Sequence, residues 1–284
     1  MVLNQYMKHI LSQARDALQK RYSDREIRFL VKDLLHHFCG CSDLDFYTGK
    51  DINISLEQRQ EVNKALRMLS DGMPIQYILG ECEFYARRFL TQAPVLIPRP
   101  ETEELVDWIV KEYSDNQGNL LDVGTGSGCI AVSLAAETSM KVEAWDILPE
   151  ALVLCRRNAD LHQVKVEVKC QDLFKALGSV ERRYDVLVSN PPYICQSQAS
   201  DMQENVLSYE SHLALFVPDE DALKYYRALA ELGKECLKEG GCIYMEINEL
   251  FGDATANLFR DAGYRNVELR RDLSSRDRMI KACL

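Results

Sequence analysis

The sequence predicts an α/β protein, a mainly parallel sheet covered on both faces by helices, with a small helical bundle in front of it. Three observations carry this reading. Residues 1–72 repeat apolar side chains at helical spacing. From residue 119 onward, short apolar runs alternate with amphipathic stretches. The first of those runs, Asn119–Val123, enters Gly124-Thr125-Gly126-Ser127-Gly128 and then a helical stretch. Strand, glycine turn and helix in that order open a nucleotide-binding layer, because glycine lets a ligand approach the backbone. At 284 residues there is room for one large domain and a small one.

In chain order, Leu3, Tyr6, Met7, Ile10, Leu11, Ala14 and Leu18 mark a first helix. Ser23 with Glu26 is a capping-box pair that opens a second, with Ile27, Leu30, Val31, Leu34, Leu35 and Phe38 on one face and Gly40 as its stop. Ser55 with Gln58 opens a third carrying Val62, Leu66 and Leu69, ended by Gly72 and Pro74. The helical domain is therefore placed at 1–74, either as a partner-docking module or as a stabilising cap. Residues 75–100 read as an extended connector with a hairpin within 83–90, stiffened by Pro94, Pro98 and Pro100. Residues 101–284 form the α/β domain. Glu101-Thr102-Glu103-Glu104 opens a helix, since acids favour its N-terminus. Strands are expected at 119–123, 141–146, 164–168, 184–189, 241–247, 264–270 and 277–283. Helices are expected at 101–113, 128–137, 149–160, 219–238 and 250–262.

Net charge is −10. The first 80 residues hold 11 Lys and Arg against 10 Asp and Glu, so the remainder carries −11. An acidic α/β domain argues against a nucleic-acid partner, which wants a basic footprint. The ten cysteines are scattered, and no apolar stretch is long enough to span a membrane. A cytoplasmic, monomeric protein with no membrane or direct nucleic-acid partner is expected. His36-His37-Phe38-Cys39-Gly40-Cys41 misses zinc spacing, so no metal is expected there.

The chemistry is carried by Asn190-Pro191-Pro192-Tyr193, at the end of the apolar run 184–189. Prolines stiffen the loop and donate nothing, leaving carbonyls free to accept. An amide oxygen, a carbonyl and an aromatic face suit a planar group bearing NH₂, an amide or an exocyclic amine. The glycine loop with Asp146, the acid ending the next strand, suits a nucleoside whose ribose hydroxyls the acid accepts. A strict dinucleotide pattern fails, because Ala131 or Cys129 stands where its third glycine belongs. A nucleoside cofactor on the first two strands beside an amine acceptor on the fourth is the layout of an S-adenosyl-L-methionine-dependent methyltransferase.

The chain resembles the HemK/PrmC family, the peptide chain release factor glutamine methyltransferases. The resemblance rests on Pro94 to Glu103, the Asp122–Gly128 loop, Asp146, Asn158-Ala159, Gln171 to Phe174 and Asn190 to Ile194. It continues through Tyr209-Glu210, Ala214 to Phe216, Glu246-Ile247 and Asp277-Arg278. It implies a Rossmann-like, seven-stranded S-adenosylmethionine-dependent methyltransferase domain behind a helical bundle that helps hold the release factor. It also implies a role in translation termination, methylating the glutamine amide of the release factor's Gly-Gly-Gln motif. Two positions depart: Ser211 stands where relatives often have proline, and Leu173 where they can have tryptophan.

Asn190 and Pro191 are expected to accept the two amide hydrogens, with Pro192 beside them and Tyr193 packed on the amide plane. Gly124, Thr125, Gly126, Ser127 and Gly128 are expected at the cofactor's methionine and ribose, Asp146 at the ribose, and Asp172 and Leu173 at the adenine. Asn190 borders the cofactor as well. Arg99 and Glu101 are expected to close the methionine end. Blander roles stand beside these: a cap for Asp122 or Asp172, a core position for Phe174, a structural one for Glu246. Rival readings are an amino methyltransferase acting on adenine or guanine in nucleic acid and a cofactor-binding protein without catalysis.

Overall fold

The computed structural model describes residues 5–48, 54–181, 183–202 and 204–284. Leu3 and the side chain of Tyr6, assigned above to the first helix, lie outside them. The chain divides into two compact units, Met1–Gly80 with Glu204–Tyr209, and Glu81–Gln203 with Glu210–Leu284.

The first unit holds α1 (Gln5–Leu18), α2 (Asp24–Cys39), α3 (Asp43–Thr48), α4 (Leu56–Ser70) and α5 (Ile75–Leu79). Ser23 and Ser55 each accept from the backbone N–H three residues on, and Glu26 and Gln58 reach back to complete both capping boxes. Gly40 takes φ +66°, the left-handed stop of α2. Ile10, Leu18, Val31, Leu34, Leu35, Val62 and Leu69 are fully buried between these helices. One expectation is corrected: residues 75–79 are helical, not extended. Pro74 sets φ −55° at the entry, Gly80 at φ +72° ends the turn, and Ile75, Ile78 and Leu79 pack on the helical core. Apolar contact with the helices outweighs the extended bias beside the proline.

The second unit begins with the hairpin β1 (Glu81–Phe84) and β2 (Arg87–Leu90). Next come α6 (Pro100–Tyr113), β3 (Asn119–Val123), α7 (Cys129–Glu137), β4 (Lys141–Asp146), α8 (Pro149–Leu161), β5 (Val166–Cys170) and α9 (Leu173–Ala176). Then come β6 (Tyr184–Ser189), β7 (Ile194–Cys195), α10 (Glu204–Tyr209), α11 (His212–Leu215), β8 (Phe216–Val217) and α12 (Lys224–Cys236). The chain closes with β9 (Leu237–Glu246), α13 (Gly252–Asp261), β10 (Arg265–Arg271) and β11 (Asp277–Cys283). The short α10, unforeseen in the sequence, belongs with the first unit. Arg21 Nη1 pairs with Glu204 at 2.8 Å, and the Tyr209 hydroxyl donates to the Asp71 carbonyl at 3.2 Å.

The seven-stranded sheet runs β10-β11-β9-β6-β3-β4-β5. Its β5, β4, β3, β6 and β9 are parallel, and β11 is antiparallel to both neighbours. Successive strand residues face opposite sides. Leu120, Val186, Val188 and Tyr244 pack on one face, and Leu121, Leu187, Ile243 and Met245 on the other. Strand order reverses between β3 and β6, where a parallel sheet opens a ligand crevice at its carboxyl edge.

Three local expectations shift. β5 starts two residues late. The helix expected over 219–238 is a 3₁₀ turn at Asp219–Asp221 followed by α12. Leu237 and Lys238 join β9 instead, because Leu237 pairs with Tyr184 across the sheet. Cys242 and Cys283, two of the ten scattered cysteines, are directly opposite on β9 and β11 and form a disulfide. Among the described residues, no helix is long and apolar enough to cross a membrane.

Candidate active site

A cavity of about 360 Å³ opens at the carboxyl edge of β3, β4 and β6. Its walls include Gly124, Thr125, Gly126, Ser127, Asp146, Asp172, Leu173, Asn190, Pro191 and Pro192. The crevice thus brings together residues from seven separate stretches of chain.

The glycine turn is held by its neighbours. Both Gly124 N–H and Thr125 N–H donate to the Trp145 carbonyl at 2.9 Å. Asp146 accepts from Gly126 N–H at 2.8 Å and from Leu148 N–H at 2.9 Å. Burial raises the Asp146 carboxyl, and these backbone donors pull it back down. Asp122 lies beneath the turn, fully buried, and accepts from the Thr125 hydroxyl at 2.6 Å. Burial pushes its carboxyl up to about 7, against the pull of that hydroxyl. The buried Asn158 holds the turn from the other side, donating to the Ser127 carbonyl at 2.8 Å and accepting from Leu90 N–H at 2.8 Å.

Gly128 does not line the cavity wall. It caps the start of α7 at φ +82°, and a Cβ there would stand 2.6 Å from Cys155 Sγ on α8. Its glycine is required by helix packing. Gly124, at φ +76°, faces open space, so a Cβ there would meet nothing within 4 Å.

Asp172 caps a helix and also stands on the cavity wall. Its Oδ1 caps α9 by accepting from Phe174 N–H at 2.9 Å, and it lines the cavity beside the buried Leu173. Phe174, expected in the core, is instead 39% exposed on the rim. Lys224 Nζ lies 4.9 Å above its ring, and the Tyr225 ring packs against it at 5.3 Å, tilted by 59°. Lys224 and Tyr225 carried no signal in the sequence, because only the packing of α12 against α9 brings them to the rim.

Asn190 stands at the tip of β6 on the wall. Its Nδ2 donates to Thr102 Oγ1 at 3.2 Å, and that hydroxyl donates to Glu246 Oε2 at 2.6 Å. Tyr193 does not line the cavity. Its hydroxyl donates to Glu246 Oε1 at 2.8 Å, and its ring packs on the sheet face that carries Leu121, Leu187, Ile243 and Met245. The two prolines turn the chain there, and the Tyr193 carbonyl is held by Asn248 Nδ2 at 2.9 Å. Glu246 is 2% exposed; burial raises its carboxyl, while Thr102, Tyr193 and the nearby Arg278 lower it.

Arg99 lines the cavity, but its Nη2 is committed to Glu210 at 2.6 and 2.7 Å. Glu101 is exposed and is not on the wall. Ser211 N–H donates to the Pro94 carbonyl at 2.8 Å, a bond that proline at this position would lack.

Residues 101–214 match the Methyltransferase small domain family, and residues 9–80 match the PrmC N-terminal domain family. The release factor glutamine methyltransferase of Bacteroides thetaiotaomicron is 44% identical over 277 residues, covering 97% of this chain and 99% of that one. That of Flavobacterium psychrophilum is 37% identical over 280 residues, covering 97% and 98%. That of Streptococcus pneumoniae is 41% identical over 226 residues, covering 79% and 80%. With its carboxyl-edge crevice and near full-length similarity to these proteins, the chain belongs to the release factor glutamine methyltransferase family, whose members are S-adenosylmethionine-dependent enzymes.

Proposed function

We propose that the protein methylates the side-chain amide nitrogen of the glutamine in the Gly-Gly-Gln motif of bacterial peptide chain release factors. The observation that carries this is the meeting of Asn190, Pro191 and Pro192 with the glycine turn across one cavity. The walls fit S-adenosylmethionine. Gly124 leaves a cradle that any side chain would fill, and the cavity has the size of small-molecule sites. Asp146 would accept from ribose hydroxyls, Asp172 and Leu173 would border the adenine, and the 124–127 turn would hold the methionine end. Bound there, the group supplies an electrophilic methyl.

The chain's own residues must supply a well-aimed amide. An amide nitrogen is a weak nucleophile, because its lone pair is delocalised into the carbonyl. Asn190 Oδ1 and the Pro191 carbonyl accept its two hydrogens, fix its direction and favour the positive charge that develops on nitrogen. Orientation of this kind is worth up to ~7–11 kcal/mol in effective molarity. The stacking role expected of Tyr193 passes to a supporting one behind Glu246. No general base is needed close by, since the methylated amide can lose its proton to water afterwards.

The helical unit would hold the release factor, and the protein would act as a cytoplasmic monomer without contacting nucleic acid. The charge of −10 supports a protein acceptor over a nucleic acid. The test is mass spectrometry of a release factor and of its Gly-Gly-Gln peptide after incubation with S-adenosylmethionine. One added methyl on the glutamine is expected, absent with Asn190→Ala. An unmodified release factor would refute the reading, and methylated RNA or DNA would replace it.

A further inference from the structure

We propose that Thr102 and Glu246 are positioning residues that determine which end of the Asn190 carboxamide faces the acceptor. This rests on the function proposed above. An asparagine side chain is nearly symmetric in shape, but its two ends are opposite in hydrogen-bonding sense. With the oxygen toward the acceptor, it receives a hydrogen from the glutamine NH₂. Turned over, it would set one NH₂ against another and repel the substrate. Some other group must therefore choose between two arrangements of equal volume.

Hydrogen-bond accounting identifies that group. Glu246 sits at the end of β9, 2% exposed, and receives two donors: Thr102 Oγ1 at 2.6 Å and the Tyr193 hydroxyl at 2.8 Å. In its ionised form, which the nearby Arg278 favours, Glu246 only accepts, so both hydroxyl protons point at it. Threonine has a single hydroxyl proton. Once that proton is given to Glu246, Thr102 Oγ1 can only accept. The Asn190 atom 3.2 Å away must then be the nitrogen, which leaves Oδ1 on the other side. Thr102 is itself 2% exposed, at the back of the cavity wall. A mismatch inside such a buried network leaves a polar group unpaired and is costly.

The relay spans α6, β6 and β9, three elements distant in sequence. Glu246 acts through Thr102 and needs no contact with substrate. A 2% exposed carboxylate directly behind a reactive loop is otherwise a liability in a β-sheet core. The relay gives it a purpose in the reaction.

The test uses the full chain with Thr102→Val, which keeps shape and loses the hydroxyl, and Thr102→Ser, which keeps the hydroxyl. Methyl transfer to the Gly-Gly-Gln peptide is measured beside two binding readouts. These are calorimetric affinity for S-adenosylmethionine, and calorimetric affinity for the peptide with S-adenosylhomocysteine present. For Thr102→Val we expect kcat/KM to fall at least about tenfold, as for loss of a buried hydrogen bond. Peptide affinity should weaken with it, cofactor affinity should stay within about twofold, and Thr102→Ser should recover to within about threefold. Should Thr102→Val not fold, Thr102→Ala removes the same hydroxyl and carries the same expectation. The inference is overturned if the hydroxyl-free variant matches wild type, if Thr102→Ser is equally impaired, or if cofactor affinity falls in parallel. Wild type that leaves the peptide unmodified would instead sink the proposed function, and the inference with it.

Discussion

Replacing Gly128 by alanine should destabilise the α/β unit far more than the same change at Gly124. Both glycines have positive φ, +82° and +76°, so both alanines carry the left-handed penalty of ~1–2 kcal/mol. The surroundings differ. At position 128 the new Cβ stands 2.6 Å from Cys155 Sγ and 3.1 Å from Cys155 Cα, against an ordinary contact of roughly 3.5–4.0 Å. Backbone of α8 must therefore retreat from α7, and forced repacking of that kind costs about 1–3 kcal/mol more. At position 124 nothing lies within 4 Å. Gly128→Ala should thus lose ~2–5 kcal/mol and Gly124→Ala ~1–2 kcal/mol. The assay is denaturant unfolding at constant m, followed by tryptophan fluorescence. The chain has two tryptophans, Trp108 and Trp145, and both are buried in the α/β unit, so the signal reports that unit alone. Cofactor affinity should show the reverse order, with Gly124→Ala weakened because its methyl enters the cavity. Equal unfolding midpoints for the two variants would refute the packing role given to Gly128.

The Arg99–Glu210 pair should resist being halved. Glu210 has no exposed side-chain area, so Arg99→Ala leaves a buried carboxylate without its counter-charge, held only by the Ile97 N–H, and should cost about 3 kcal/mol in the same assay. Adding Glu210→Gln should recover at least about 1 kcal/mol, and a double variant as weak as the single would contradict the pairing. Asp122 makes stability depend on pH. Its folded-state value is raised from 3.8 to about 7, so its contribution is full below pH 3.8 and is lost as pH rises through about 7. The unfolding free energy of wild type relative to Asp122→Asn should therefore fall by ~4 kcal/mol between pH 4 and 8, at about 1.4 kcal/mol per pH unit. A difference that stays flat across that range would rule out a buried, neutralised Asp122.

Much of the fold is legible from neighbours along the chain. The runs 119–123 and 184–189 read as strands because burial on both faces demands unbroken apolar side chains. The capping boxes at Ser23 and Ser55 read directly, since each is closed within four residues. The glycine turn, Asp146 and Asn190-Pro191-Pro192 read as a site because a parallel sheet carries its ligands at the carboxyl ends of its strands. What could not be read depends on which distant residues meet. Gly128 belongs to Cys155, Tyr193 to Glu246, Asn190 to Thr102, and Cys242 to Cys283. Each pairing follows from strand order and helix packing, and a side chain shows no local sign of a partner many residues away. The same holds for α5 and α10, too short to form alone, which are helical because the bundle beside them offers apolar and polar partners. Chain-local chemistry names the groups that can react, and only the packed sheet decides which way they face.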